Sequence, residues 1–404
     1  MRSRFVGVYF VGSTISRVFS QEWIDRVDDF LTRSSSSYGL RGRLSGTLDL
    51  EGYAFEKASL GSMEAGGHTL FNPRLSLFVD GQWGDHVYSF VQARVDRGFD
   101  PADREVQARA DEYAVRVSPW SDRELSFQVG KFATVIGSWA PRHLSWDNPF
   151  ITSPLVYSHP THVSDVEAPD SAADFVGPPD EAGYRYNPVI WGPSYSSGML
   201  LSGGLGDVEV AVAMKNAPPA SRPESWSALD VGFEHPSFEG RITYQPGPQW
   251  KFGFSASEGP YYRTEALEDL PAGKGLGDYR EQLMGQDLAF AWHHVQLWAE
   301  VYEARFSVPR VGDADTLGWY LEAKYKLTAQ WFTALRWNQQ WFSDVPNGAG
   351  GQSPWGADVW RMDTAIGYRL TDHAQIKLQY EFLGNRERGS EGSSLAAVQF
   401  TARF

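Results

Sequence analysis

The chain has 404 residues, 50 acidic against 36 basic, and its formal charge of −14 speaks against nucleic acid as a partner. No run of about eighteen apolar residues exists, which excludes a transmembrane helix but not transmembrane strands. Cysteine is absent, removing disulfide scaffolds, thiol catalysis and Cys-based metal sites.

Aromatic residues and glycine are abundant although mean hydropathy is negative. A lipid-facing barrel with a wet interior has that combination, because only alternate strand residues touch lipid. Residues 1–20 pair Arg2 and Arg4 with a weakly apolar run that Arg17 interrupts, a weak or truncated signal-like segment. In Gln21 to Arg33, Trp23, Ile24, Val27, Phe30 and Leu31 recur at helical spacing and predict a short amphipathic helix, followed by a serine linker to residue 39.

From residue 40 to 404 the period is two. Leu44, Gly46, Leu48 and Leu50 alternate with Arg43, Ser45, Thr47, Asp49 and Glu51, partners too charged for a dry core. The same alternation predicts strands around Leu75 to Val79, Val87 to Val95, Tyr113 to Val117, Leu125 to Val129, Met199 to Gly203, Val208 to Met214, Phe238 to Tyr244 and Trp250 to Phe254. Further strands run around Leu288 to Trp292, Val295 to Val301, Leu317 to Tyr325, Trp331 to Trp337, Met362 to Tyr368 and Ile376 to Phe382.

Tight turns, such as His293–His294, alternate with longer polar connections: 56–72, 98–110, 136–194, 216–237, 258–285, 307–315, 343–356 and 385–392. Trp250, Trp292, Trp319, Trp331 and Trp337 fall on the apolar face near strand ends, as an interfacial girdle would. The terminal strand, Ser394 to Phe404, puts Ala396, Val398, Phe400, Ala402 and Phe404 on one face and Gln399, Thr401 and Arg403 on the other.

That strand resembles the closing strand of Gram-negative outer-membrane β-barrels, whose terminal Phe is read by the assembly machinery; here that signal would be Phe404. The segment Phe127–Phe132 (FQVGKF), followed by Gly137, is similar to a strand-end motif of phosphate-selective and related porins. Lys131 in it falls on the outward parity unless Gly130 makes a bulge. The expected fold is an all-β, closed, antiparallel transmembrane barrel of about 16 strands over residues 40–404, with a long constriction loop after strand 5. Resemblance to the general porins implies a passive, non-enzymatic, trimeric channel for small hydrophilic solutes and ions, embedded in outer-membrane lipid, with no cofactor.

Its loop would narrow the lumen. Asp147, Asp165, Glu167 and Asp170 would supply an acidic side, and Arg94, Arg336 and Arg361 a basic wall at mid-height, setting a transverse field. A substrate-specific channel for sugars, uronates or anions would instead use Tyr88, Trp298, Tyr302 and Tyr320 as a stacking track. A plugged structural barrel and an envelope enzyme also remain open on these residues. His143, His159 and His162 with Asp165 have the residue types for a metal, but ordinary loop packing is the simpler account, and no metal is assigned.

Overall fold

The computed structural model describes residues 32–35, 39–56, 67–97, 106–120, 125–177, 186–222, 232–385 and 392–404. Its strands are β1 (Thr32–Ser35), β2 (Leu40–Phe55), β3 (Thr69–Trp83), β4 (Val87–Asp96), β5 (Gln107–Val117), β6 (Leu125–Phe132), β7 (Ser196–Leu205), β8 (Val208–Lys215), β9 (Ser237–Gly247) and β10 (Trp250–Pro260). They continue as β11 (Arg280–Trp292), β12 (Val295–Val308), β13 (Gly312–Lys326), β14 (Trp331–Phe342), β15 (Asp344–Pro346), β16 (Gln352–Pro354), β17 (Val359–Thr371), β18 (Ala374–Asn385) and β19 (Ser393–Arg403).

Each strand from β2 to β14, then β17 to β19, pairs antiparallel with its neighbours, and β19 pairs with β2, so sixteen strands close into one barrel. Closure leaves no sheet edge for lipid to face. The short β1 adds to the start of β2, and β15 and β16 form a small separate hairpin. At the seam, Gly46 and Phe404 exchange backbone hydrogen bonds of 3.0 Å, and a Cβ on Gly46 would lie 2.6 Å from the Phe404 ring. A glycine is what lets the terminal ring lie against β2 there.

The two faces of the wall are inverted relative to a water-soluble sandwich. Leu48, Leu50, Val79, Val115, Phe127, Leu201, Ile242, Leu321, Leu335, Ile366 and Val398 are exposed on the outside. Their strand neighbours Thr47, Asp49, Ser76, Gln92, Gln128, Glu322, Arg336 and Gln399 are buried on the inside. Apolar residues on the outside and polar ones within suit lipid around a wet lumen. Near one rim Trp83, Trp120, Trp250, Trp292 and Trp331 are exposed, as an interfacial belt requires. Trp337 lies further up and stacks on Trp360 with 5.0 Å between rings; Trp319 is only half-buried along β13.

Short connections gather at that belt rim, as at His293–His294, where Trp292 pairs with Val295 and His293 takes φ 52°. Most long connections gather at the opposite rim. One expected loop is absent: residues 307–315 are a hairpin, with Val308 opposite Gly312 and only three residues turning. Above the bilayer both faces of a ladder can be polar, so the Arg305 guanidinium donating to Asp315 at 2.7 Å extends the strands where hydropathy alone suggests a loop.

Lys131 also departs from simple alternation. The β5–β6 register runs unbroken through Tyr113↔Lys131, so no bulge exists there. Instead Gly130 adopts φ 142°, and the buried Lys131 ammonium donates to the Ala110 carbonyl at 3.1 Å. A Cβ at Gly130 would collide with the Tyr113 carbonyl oxygen. The signal-like segment and residues 21–31 of the expected helix lie outside the described residues; Thr32 and Arg33, at its expected end, are in a strand.

Candidate functional site

Residues 133–195, between β6 and β7, follow the fifth spanning strand and enter the lumen. Their path can be traced by inward side chains of the wall. Glu300 on β12 accepts from the Ser138 amide at 2.5 Å, the Ser138 hydroxyl at 2.8 Å, the Trp139 amide at 2.9 Å and the Tyr157 hydroxyl at 2.6 Å. One carboxylate therefore pins both the outgoing and the returning limbs. Arg142 donates to Glu322 at 2.6 Å and to Tyr320 at 3.1 Å, with its guanidinium 4.4 Å above the Trp298 ring.

Deeper in, the Lys377 ammonium on β18 donates to the carbonyls of Ser145, Asn148 and Phe150 at 2.8–3.1 Å. Gln379 accepts from the Ile151 and Thr152 amides. Arg336 reaches the Thr152 carbonyl at 3.0 Å, Arg361 the Ser153 carbonyl at 2.5 Å, and Asn338 accepts from the Leu155 amide at 3.1 Å. These contacts cap backbone groups that a loop within a barrel could not otherwise satisfy.

The ladder explains why these charges can be buried. Cross-strand partners Glu322↔Arg336, Arg336↔Asp363 and Asp363↔Glu381 form one row over β13, β14, β17 and β18. Arg336 sits 2.6 Å from Asp363 and 3.4 Å from Glu322, and Arg361 lies 2.8 Å from Asp363. Cations set between carboxylates along the row compensate charges removed from water. Sequence parity puts all of these residues inside; it does not show that they lie side by side or hold the loop.

Arg336 and Arg361 are therefore 0 % and 5 % exposed, beneath the loop. They present no bare basic wall. Arg94 lies on the other side of the barrel and is held by Asp111 at 2.7 Å. Of the acidic set, Asp147 and Glu167 are exposed and Asp170 is exposed as well, whereas Asp165 is buried, accepting from the Arg222 amide at 2.9 Å. The aromatic track is interrupted. Tyr302 bonds to Tyr157 and Tyr320 to Arg142 under the loop, Trp298 carries Arg142, and Tyr88 bonds to Asp80 on a different part of the wall.

The three loop histidines do not converge. His143 bonds to the Ala140 carbonyl and the Tyr195 hydroxyl, His162 to the Phe175 carbonyl, and no metal-binding group of three His, Cys, Asp or Glu occurs among the described residues. Burial, reinforced by the nearby Arg94 charge, pushes the His143 imidazole down to about 4; burial with Arg361 nearby does the same for His159. Tyr195 also contacts Gln92 at 3.5 Å, so His143, Tyr195 and Gln92 link the loop to β4.

No family model matches the chain, and no curated protein matches its sequence. Its fold does have solved counterparts. The in-vitro folded outer-membrane protein OmpT of Vibrio cholerae, in a trimer form, superposes with TM-score 0.57 at 8 % identity, over 91 % of this chain and 100 % of that one. OmpF of Salmonella typhi in complex with daunomycin gives 0.57 at 13 % identity over 92 % and 100 %, and an anion-selective porin from Comamonas acidovorans 0.55 at 10 % over 90 % and 100 %. The architecture is thus that of the outer-membrane porin barrels.

Proposed function

We propose that this chain is a non-enzymatic channel of the bacterial outer membrane, narrowed by residues 133–195, through which small hydrophilic solutes and ions diffuse passively. The observation that carries it is the inversion of the wall: exposed Leu, Val, Ile and Phe outside, and hydrogen-bonded charged rows inside, on a closed sixteen-strand barrel. Sixteen strands enclose more space than wall side chains fill. The barrel's likeness to a protein solved in trimer form supports a homotrimer, and Phe404 at the seam is the candidate signal for the assembly machinery.

A second reading has its own support. The loop is tied to β12, β13, β14, β17 and β18, and through Tyr195 to β4, which also suits a plugged structural barrel. Planar-bilayer recording of the purified protein separates the readings. Steady ohmic steps without added substrate are expected of the channel, block by an added sugar would indicate a substrate-specific pore, and silence would replace the channel with the plug.

A further inference from the structure

Inside the wall the arginines are matched by carboxylates, Arg74 with Asp49 and Glu51, Arg94 and Arg109 with Asp111, Arg142 and Arg336 with Glu322, Arg361 with Asp363, while the buried Lys131 and Lys377 ammoniums donate to backbone carbonyls. The short-turn mouth is different. Lys324 and Lys326 at the end of β13, Arg369 near the end of β17 and Arg403 at the end of β19 all have inward parity. None of the four forms an ion pair among the described residues.

Two of them meet on a loop residue. The Arg403 guanidinium lies 3.9 Å, and that of Arg369 5.3 Å, from the centre of the Trp146 ring, which the loop carries to this level. An indole face attracts both cations and fixes their planes without occupying their N–H groups. Arg403 uses its Nε on the Asp372 carbonyl, and no side-chain acceptor of Arg369 occurs among the described residues. Most of two forks, each matched to a planar or tetrahedral oxyanion, remains unfilled.

Acidic groups do border this mouth. Asp147, next to Trp146, and Asp372, in the β17–β18 turn, both belong to it, and Asp80 stands opposite Arg43 in the β2–β3 ladder. Asp80 already accepts from Tyr88. Arg41 and Arg43 add positive charge on β2, and Asp85 in the β3–β4 turn and Asp207 in the β7–β8 turn add negative charge elsewhere on the same rim.

We propose that Arg369 and Arg403, stacked on Trp146 and backed by Lys324 and Lys326, form an oxyanion-recognition site at the short-turn mouth. This site, rather than the mid-height arginines, sets a preference of the pore for small carboxylate or phosphate anions. The selectivity half rests on the channel reading above; the binding half does not. A cluster of like charge at a mouth with low-dielectric walls concentrates counter-ions there, more strongly at low salt.

The test uses the full chain refolded in detergent, with folding checked by heat-dependent gel mobility. Binding is read from the 31P line width of inorganic phosphate titrated with protein, and selectivity from the reversal potential in a potassium chloride gradient. The wild type is expected to broaden the phosphate line and to favour chloride. Arg369→Gln with Arg403→Gln should lose the broadening and move the reversal potential toward potassium, while Arg369→Lys with Arg403→Lys keeps the reversal potential and loses part of the binding.

A conducting wild type whose reversal potential and phosphate line are the same in the Gln pair overturns the proposal, as does a cation-selective wild type. If no current flows but phosphate binding is present and lost in the Gln pair, the channel reading fails and the anion site stands. Absence of both sinks both. Should the Gln pair not fold, the Lys pair carries the test, and unchanged phosphate broadening there counts against the site.

Discussion

Arg336 and Arg403 are both inward arginines on late strands, yet their surroundings differ. Arg336 is wholly buried between two carboxylates and two loop carbonyls, whereas Arg403 is exposed on an indole with no ion pair among the described residues. Height along the strand separates them. Where the loop excludes water, a charge persists only when neighbours compensate it; at the mouth, solvent takes that role. Inward charge in a barrel is thus of two kinds, one holding the loop and one facing the passage.

The sharpest way to break this contrast is Arg336→Gln. It leaves Glu322 with Arg142 alone and Asp363 with Arg361 alone in a buried row, and loss of the shared partner there should cost about 3 kcal/mol, the low end for breaking a buried ion pair. The unfolding temperature followed by gel mobility should fall well below that of Arg403→Gln, whose expected change is within about 0.5 kcal/mol. Equal effects would erase the distinction.

Glu300→Gln should come next. The amide keeps one acceptor for the Ser138, Trp139 and Tyr157 donors and loses the charge, an expected cost of about 1–3 kcal/mol. Limited proteolysis should then cut residues 138–157 faster while the barrel remains folded. An unchanged cleavage rate would remove Glu300 as the loop's main post.

Acidification should act more gently. His143 and His159 are held neutral in the attached loop, with ionisation lowered from 6.5 to about 4 by burial. A released loop therefore binds more protons between these values, so attachment is fully present above pH 6.5 and is lost progressively as pH falls toward about 4. Loop proteolysis by an acid-active protease should accelerate over this window, and His143→Gln with His159→Gln should flatten the dependence. A pH profile identical in that variant would show that other groups drive any release.

Much of the barrel is legible in the chain because each strand carries its own instruction. Leu48, Leu50, Val398 and Phe400 mark the lipid side by period two without reference to distant residues, and so give strand number, turn rhythm and closure by Phe404. Residues 307–315 mislead for a local reason: beyond the bilayer nothing requires one face to be apolar, so a polar ladder looks like a loop. Gly130 misleads because a positive φ redirects Lys131 without shifting register.

The candidate site is legible only in part. Parity puts Arg94, Arg336 and Arg361 inside, yet which charges are consumed by neighbours depends on lateral register and on where the loop lies, both set by contacts far apart in the chain. Sequence by itself determined the inside-out barrel, since hydrophobic alternation is a property of each strand against its solvent. Tertiary structure alone decided that Glu322, Arg336, Asp363 and Glu381 form one compensated row under the loop while Arg369 and Arg403 meet on the Trp146 ring at the mouth. Coulomb interactions and desolvation depend on distances across strands and on water access, which linear order does not specify.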